Sequence, residues 1–183
     1  MKRLPVPYEE FEAKFLQSET PVVRLYMDHA LFRTKAQEGT LKVTMRSGIS
    51  PEKLISKFSL YAPWHVSLDT NKPVMPNVDT RPILLNAIIH EQENIREWHV
   101  EHISSIRDWF SSLGSSEDIV NIDIVTLYLG GKRLLIMDGN HRLSALVHEI
   151  QAGNSSPHVR ITEYRIKSKH LSAKLLPDLI ALT

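Results

Sequence analysis

The sequence predicts an α+β domain: a small mixed β-sheet with flanking helices. Three observations carry that expectation. The chain has 183 residues, 42% of them apolar, which is one ordinary core for a single domain over residues 1–183. Runs that alternate with a period of two and runs with helical spacing both occur from one end of the chain to the other. A β-branched stretch before Gly130-Gly131 and an apolar run after it give the strongest hairpin signal, and the second leads directly into a helix.

Composition narrows the chemistry. Lys plus Arg is 22 against 21 for Asp plus Glu, a net charge of +1, so any contact with nucleic acid must use a local patch. The absence of cysteine removes disulfide scaffolds, thiolate zinc sites, iron–sulfur clusters and cysteine nucleophiles. Nine histidines remain. The stretch Met1 to Glu10 places prolines and glutamates where an export signal needs an apolar run, and no window approaches the roughly 20 apolar residues of a membrane span. The expected location is the cytoplasm.

Glu9 to Gln17 predicts a short helix on Phe11 and Phe15, and Val22 to Tyr26 a strand. Leu41 to Arg46 alternates as a second strand, and Ser50-Pro51-Glu52 opens a helix that ends near Phe58. Residues 61–82 carry Pro63, Pro73, Pro76 and Pro82 among Asp and Asn, which predicts a long irregular segment. From Thr80 to Leu113, closed by Gly114, apolar spacing predicts a helical insertion broken near Glu93 or Asn94. The core motif, residues 119–153, reads as strand, hairpin turn, strand and helix, with Leu143, Leu146, Val147 and Ile150 on one helix face and Gly153 as its stop. Val159 to Ile166 alternates as a further strand, and Leu171 to Leu182 reads as a last apolar helix interrupted at Pro177. That helix would pack on its own core or dock to a partner or a membrane surface.

The chemistry concentrates at Asp138-Gly139-Asn140-His141-Arg142, where a buried strand turns into a helix. A helix start leaves N–H groups unpaired and carries partial positive charge, which suits phosphate. Asn140 is expected as the N-cap, with Gly139 allowing the tight turn and a close ligand approach. Arg142 adds a bidentate phosphate contact, and His141 a donor able to exchange protons near neutrality. Asp138 would hold a divalent metal or orient His141.

Residues Asn121 to Ala145, with this Asp-Gly-Asn-His-Arg turn, resemble the hairpin and helix of the ParB/sulfiredoxin superfamily. The resemblance implies a ParB/sulfiredoxin-like fold whose turn binds nucleotide phosphates, with Gly139, Asn140, His141, Arg142 and Ser144 as nucleotide contacts. Sulfiredoxins place a catalytic cysteine directly before His-Arg; Asn140 stands there, which rules out sulfinic-acid reduction. Partition-type members continue into a helix-turn-helix domain, for which no room is expected after residue 153. Among stand-alone members the layout is most similar to plasmid fertility-inhibition proteins. This implies an ATPase and deoxyribonuclease using ATP and Mg2+, with Asp138, His141 and Arg142 catalytic and Asp138 on the metal. It would block DNA transfer through a type IV secretion system, with DNA and a secretion component or its coupling ATPase as partners. A nucleotide-gated inhibitor without turnover, and a serine-type small-molecule kinase with Asp28 as base, are the alternatives on the same fold.

Other segments offer supporting sites. Asp28, past the first expected strand, is a candidate second wall of the nucleotide site. Lys132 and Arg133 follow the Gly-Gly turn, away from Asp138, and read as DNA-backbone contacts or a solvated turn. Lys2, Arg3, Arg160, Arg165, Lys167 and Lys169 would extend a basic surface if they share a face. His90, Glu93, His99 and His102 form ligand-like pairs at helical spacing, which read as a solvated helix face unless two helices bring them together. Trp64 would stack on a base or anchor its segment to the core.

Overall fold

The computed structural model describes residues 2–16, 29–74, 79–112, 119–154 and 158–168. In chain order these form β1 (Leu4–Val6), α1 (Tyr8–Phe15), α2 (His29–Gln37), β2 (Leu41–Ile49), α3 (Pro51–Lys57), β3 (Ser59–Ser67), β4 (Pro73–Val74) and β5 (Thr80–Leu84). They continue with α4 (Ile88–Glu91), α5 (Glu97–Ser112), β6 (Val120–Tyr128), β7 (Arg133–Asp138), α6 (Asn140–Gln151) and β8 (Val159–Ser168). Local chemistry accounts for several ends. Ser50 caps α3 by accepting the Lys53 N–H at 3.3 Å, with proline at the first helical position. Gly130 and Gly131 take φ of 94° and 57°, the positive pair that joins β6 to β7 in a tight hairpin.

Among the described residues the strands make one mixed sheet in the order β1-β2-β8-β6-β7-β3-β4, with β5 also on β3. The pairs β6–β8 and β3–β7 are parallel and the others antiparallel. Alternation along the strands splits the core into two layers. Leu134 and Ile136 of β7, with Ile122 and Ile124 of β6, pack against Leu143, Leu146 and Val147 of α6 and Ile103 and Phe110 of α5. Leu135 and Met137, with Val125 and Leu127, pack against Phe11 and Phe15 of α1 and Phe32 of α2. A sheet covered on both faces explains why β7 reads as an unbroken apolar run.

Two expectations fail between residues 61 and 94. The segment 61–82 is not irregular: it holds most of β3, all of β4 and the start of β5. Three of its prolines sit where a ladder tolerates them, and Pro76 lies outside the described residues. Pro63 falls inside the register shift between Tyr61 and His65, while Pro73 and Pro82 lie on short strands paired to β3. Thr80 to Leu84 is likewise a strand, not the start of a helix; Ile83 and Leu85, two apart, are both fully buried. The helical part begins with a 3-10 turn at Leu85–Ala87 and α4, and breaks at a second 3-10 turn, Gln92–Asn94, before α5. The expected strand at 22–26, Gly114, Lys169 and the terminal helix at 171–182 lie outside the described residues, as does Asp28. No helix among the described residues is long and apolar enough to cross a membrane.

Candidate functional site

The motif lies where β7 ends and α6 begins. Gly139, not Asn140, holds the N-cap position, with φ 90° and ψ 15°, and no side chain caps the helix. A Cβ on Gly139 would stand 2.7 Å from Ile124 Cγ2, so glycine is required by backbone conformation and by its neighbour strand. Ile124 occupies the space that a Cβ there would need. Asn140 is the first helical residue, 6% exposed, and its Oδ1 is buried without a partner among the described residues. A buried acceptor left unpaired costs stability.

Asp138 and Arg142, one helical turn apart, are joined by a 2.9 Å hydrogen bond from Nη2 to Oδ2. Burial raises the pKa of the Asp138 carboxyl, against the pull of Arg142 and of the Gly139 backbone N–H. Asp138 therefore orients Arg142 and not His141. His141 turns the other way, its Nε2 lying 2.8 Å from Nδ1 of His99 on α5. Ser144, fully buried, donates its hydroxyl to the Asn140 carbonyl at 2.8 Å inside the helix and does not line the cleft.

Above this turn opens a cleft of about 350 Å³ lined by Trp64, Trp98, His102, Ile106 and the residues Met137 to Arg142. Trp64 comes from β3, and its ring centre is 4.3 Å from that of His99 and 5.1 Å from that of His141. Trp98 covers His99 at 3.7 Å and is 52% exposed at the mouth. His102 meets His141 edge-on at 4.8 Å. Burial holds the rings of both His99 and His141 down to about 4, with positive neighbours adding to the effect, so both are neutral at physiological pH. A larger hollow of about 410 Å³ between α1, α2 and β2 holds no residue of the motif.

Sequence reasoning missed the α5 contribution. His99 is not on a solvated face: it is 5% exposed and packed between two indoles. The spacing of His99 and His102 marked a shared face, but nothing local showed that this face turns toward residue 141. His90, Glu93 and His102 are exposed, and their neighbours are engaged elsewhere, Glu91 with Arg81 at 3.0 Å and Asn94 with Glu91 at 2.8 Å. Among the described residues no three His, Asp or Glu gather as a metal cluster. Trp64 serves as core anchor and cleft wall together.

Lys132 and Arg133 are exposed at the opposite end of β7, about 17 Å from Asp138 by strand rise. Two members of the expected basic surface are withdrawn from it. Arg3 and Arg165 both pair with Glu163, which is fully buried, because Glu163 stands at an inward position of β8. Lys167 lies over the Tyr128 ring at 4.8 Å.

Comparison with protein-family models, with curated proteins and with solved structures finds no match to this chain. The site is therefore read on its own geometry.

Proposed function

We propose that the cleft binds a nucleotide, ATP by the likeness of residues 121–145 to the ParB/sulfiredoxin turn, and that the protein hydrolyses it. One observation carries the nucleotide reading: an aromatic-walled cleft opens on the first turn of α6 and is lined there by Asn140, whose buried Oδ1 has no partner among the described residues. A nucleotide answers each feature. Its phosphates suit the helix start and Arg142, its base suits the exposed ring of Trp98, and a hydroxyl or exocyclic amine suits Asn140 Oδ1.

Arg142 exchanges Asp138 for phosphate when the nucleotide enters, which frees the Asp138 carboxylate. Magnesium carried by ATP would neutralise phosphate charge, and one carboxylate with phosphate oxygens is an ordinary donor set for it. His141, neutral at physiological pH, orients the attacking water. Positioning and charge neutralisation are most of what phosphoryl transfer demands. DNA cleavage and inhibition of conjugative transfer through a type IV secretion system follow from the same likeness, with Lys132 and Arg133 as the backbone contacts.

The test is magnesium-dependent phosphate release from ATP, with and without DNA, for the wild type, Asp138→Ala and Arg142→Ala. Loss of release in both variants, with ATP binding abolished in Arg142→Ala, is the expected result; retained affinity in that variant sinks the assignment. The mutual engagement of Asp138 and Arg142 favours a second reading, a nucleotide-gated blocker of a secretion ATPase. That reading predicts tight ATP binding and no release.

A further inference from the structure

The hydrogen bond between His99 and His141 joins two neutral rings, so a single proton lies between His99 Nδ1 and His141 Nε2. Two arrangements are possible, and they differ in chemistry. If His99 donates, both rings must adopt the Nδ1–H tautomer, the less stable form of neutral imidazole. If His141 donates, both keep the favoured Nε2–H form. The setting adds to this preference. His141 sits in the first turn of α6, whose partial positive charge favours a lone pair over a proton on Nδ1, the ring nitrogen nearer the backbone. The groups facing the pair are His102 and Trp98 from α5, Trp64 from β3, Arg96 just before α5, and Arg142 and Asp138 from the motif. His102 and the two arginines among them disfavour a second proton on either ring.

We infer that His99 is a positioning residue: its Nδ1 accepts the Nε2–H of His141, fixes the ring between Trp64 and Trp98, and leaves His141 Nδ1 as a hydrogen-bond acceptor for the water or ligand in the cleft. Nδ1 of His141 has no partner among the described residues, which is what such an acceptor requires. The side chain that sets the chemical character of His141 thus comes from a helix whose sequence lies 42 positions earlier. The catalytic meaning of this arrangement rests on the nucleotide reading, whereas the tautomer itself does not.

The experiment is long-range nitrogen–proton NMR on the full chain with nitrogen-15 histidine, without nucleotide, for the wild type, His99→Phe and His99→Asn. Phenylalanine keeps the stack between the indoles and removes the acceptor. Asparagine restores an oxygen acceptor close to the place of Nδ1. The expected wild-type spectrum shows His141 with a pyrrole-type Nε2 and a pyridine-type Nδ1. In His99→Phe the two nitrogens move toward averaged values, and in His99→Asn the wild-type pattern returns. A pyrrole-type Nδ1 on wild-type His141, or a His141 pattern unchanged in His99→Phe, overturns the inference. Phosphate release gives the second readout: kcat in His99→Phe falls about tenfold or more with KM within about twofold, and recovers in His99→Asn. Failure of the wild type to bind ATP sinks the nucleotide reading while leaving the NMR result to decide the role of His99.

Discussion

Gly139 and the Asp138–Arg142 pair show how tightly the motif is determined residue by residue. Gly139→Ala introduces a Cβ at φ 90° and 2.7 Å from Ile124 Cγ2, two separate penalties that together cost about 3 kcal/mol. Shortening the neighbour by Ile124→Ala removes the contact but not the backbone strain. A double-mutant cycle read by urea midpoints is therefore expected to recover about 1 kcal/mol of coupling and no more; full recovery would mean that sterics alone require the glycine. Arg142→Ala leaves a carboxylate that is only 7% exposed without its cation. With the Arg142 side chain 32% exposed, the loss is about 1–2 kcal/mol at pH 7.5. Asp138 already has its folded pKa raised by burial, and losing Arg142 raises it further, so the native state binds a proton at a higher pH than the unfolded chain does. The deficit of Arg142→Ala relative to the wild type must then shrink as pH falls from 7.5 to 5. A constant deficit would show that Arg142 stabilises through packing and not through charge.

At the level of elements, β8 is held by a polar knot as well as by its ladders. Glu163 accepts from Thr126 Oγ1 of β6 at 2.8 Å and from Arg165 Nε at 2.7 Å, and pairs with Arg3 just before β1. It ties the neighbouring strands β6 and β8 to the segment just before β1, which is not adjacent to either in the sheet. Removing its charge strands Arg165, which is 5% exposed, so Glu163→Gln is expected to cost about 3 kcal/mol or more. Arg3→Gln, at a partly exposed position, is expected to cost under about 1 kcal/mol and to accelerate amide exchange chiefly in β1; equal losses for the two substitutions would refute this ordering. Glu163 also marks where the sequence was legible and where it was not. The period of β8 was plain from Val159 to Ile166, and a glutamate at its inward phase was a visible sign of a buried partner, but that partner stands near residue 3. The hairpin and the turn into α6 were legible because their signals are contiguous. β3 and β5 were not, because proline reads as a breaker unless the register that accommodates it is known. His99 was hidden for the same kind of reason: a helix with both polar and aromatic faces does not declare which one packs inward.

Among the described residues, three histidines from different elements are kept neutral by burial: His65 on β3, His99 on α5 and His141 on α6, each held down to about 4 against an ordinary 6.5. Burial lowers His148 in the same direction. The sign of the linkage follows from which state takes up protons. Between pH 6.5 and 4 the unfolded chain protonates these rings and the native state does not, so stability is fully present above 6.5 and is lost as pH falls through that window. Each ring contributes up to about 1.4 kcal/mol per pH unit there, and a discount for the coupling of His99 with His141 leaves roughly 2 kcal/mol per ring by pH 4. Glu91 and Glu149, whose ion pairs lower their pKa, lose stability on acidification too, while the raised pKa of Asp138 opposes them as a single group. Against the 5–15 kcal/mol of a typical domain, the sum is a large fraction of the whole stability. Urea midpoints by circular dichroism should therefore hold steady above pH 7 and fall steeply between 6.5 and 4.5. The variant His65→Phe isolates one contribution, since His65 is 4% exposed, far from the motif turn in sequence, and hydrogen-bonded to Thr80 at 2.8 Å. Its own stability at pH 7.5 will differ from wild type, but its slope against pH should be shallower by close to one proton. A slope unchanged in that variant would mean that His65 protonates in the native state as readily as in the unfolded chain, and that the acid sensitivity belongs to the cleft.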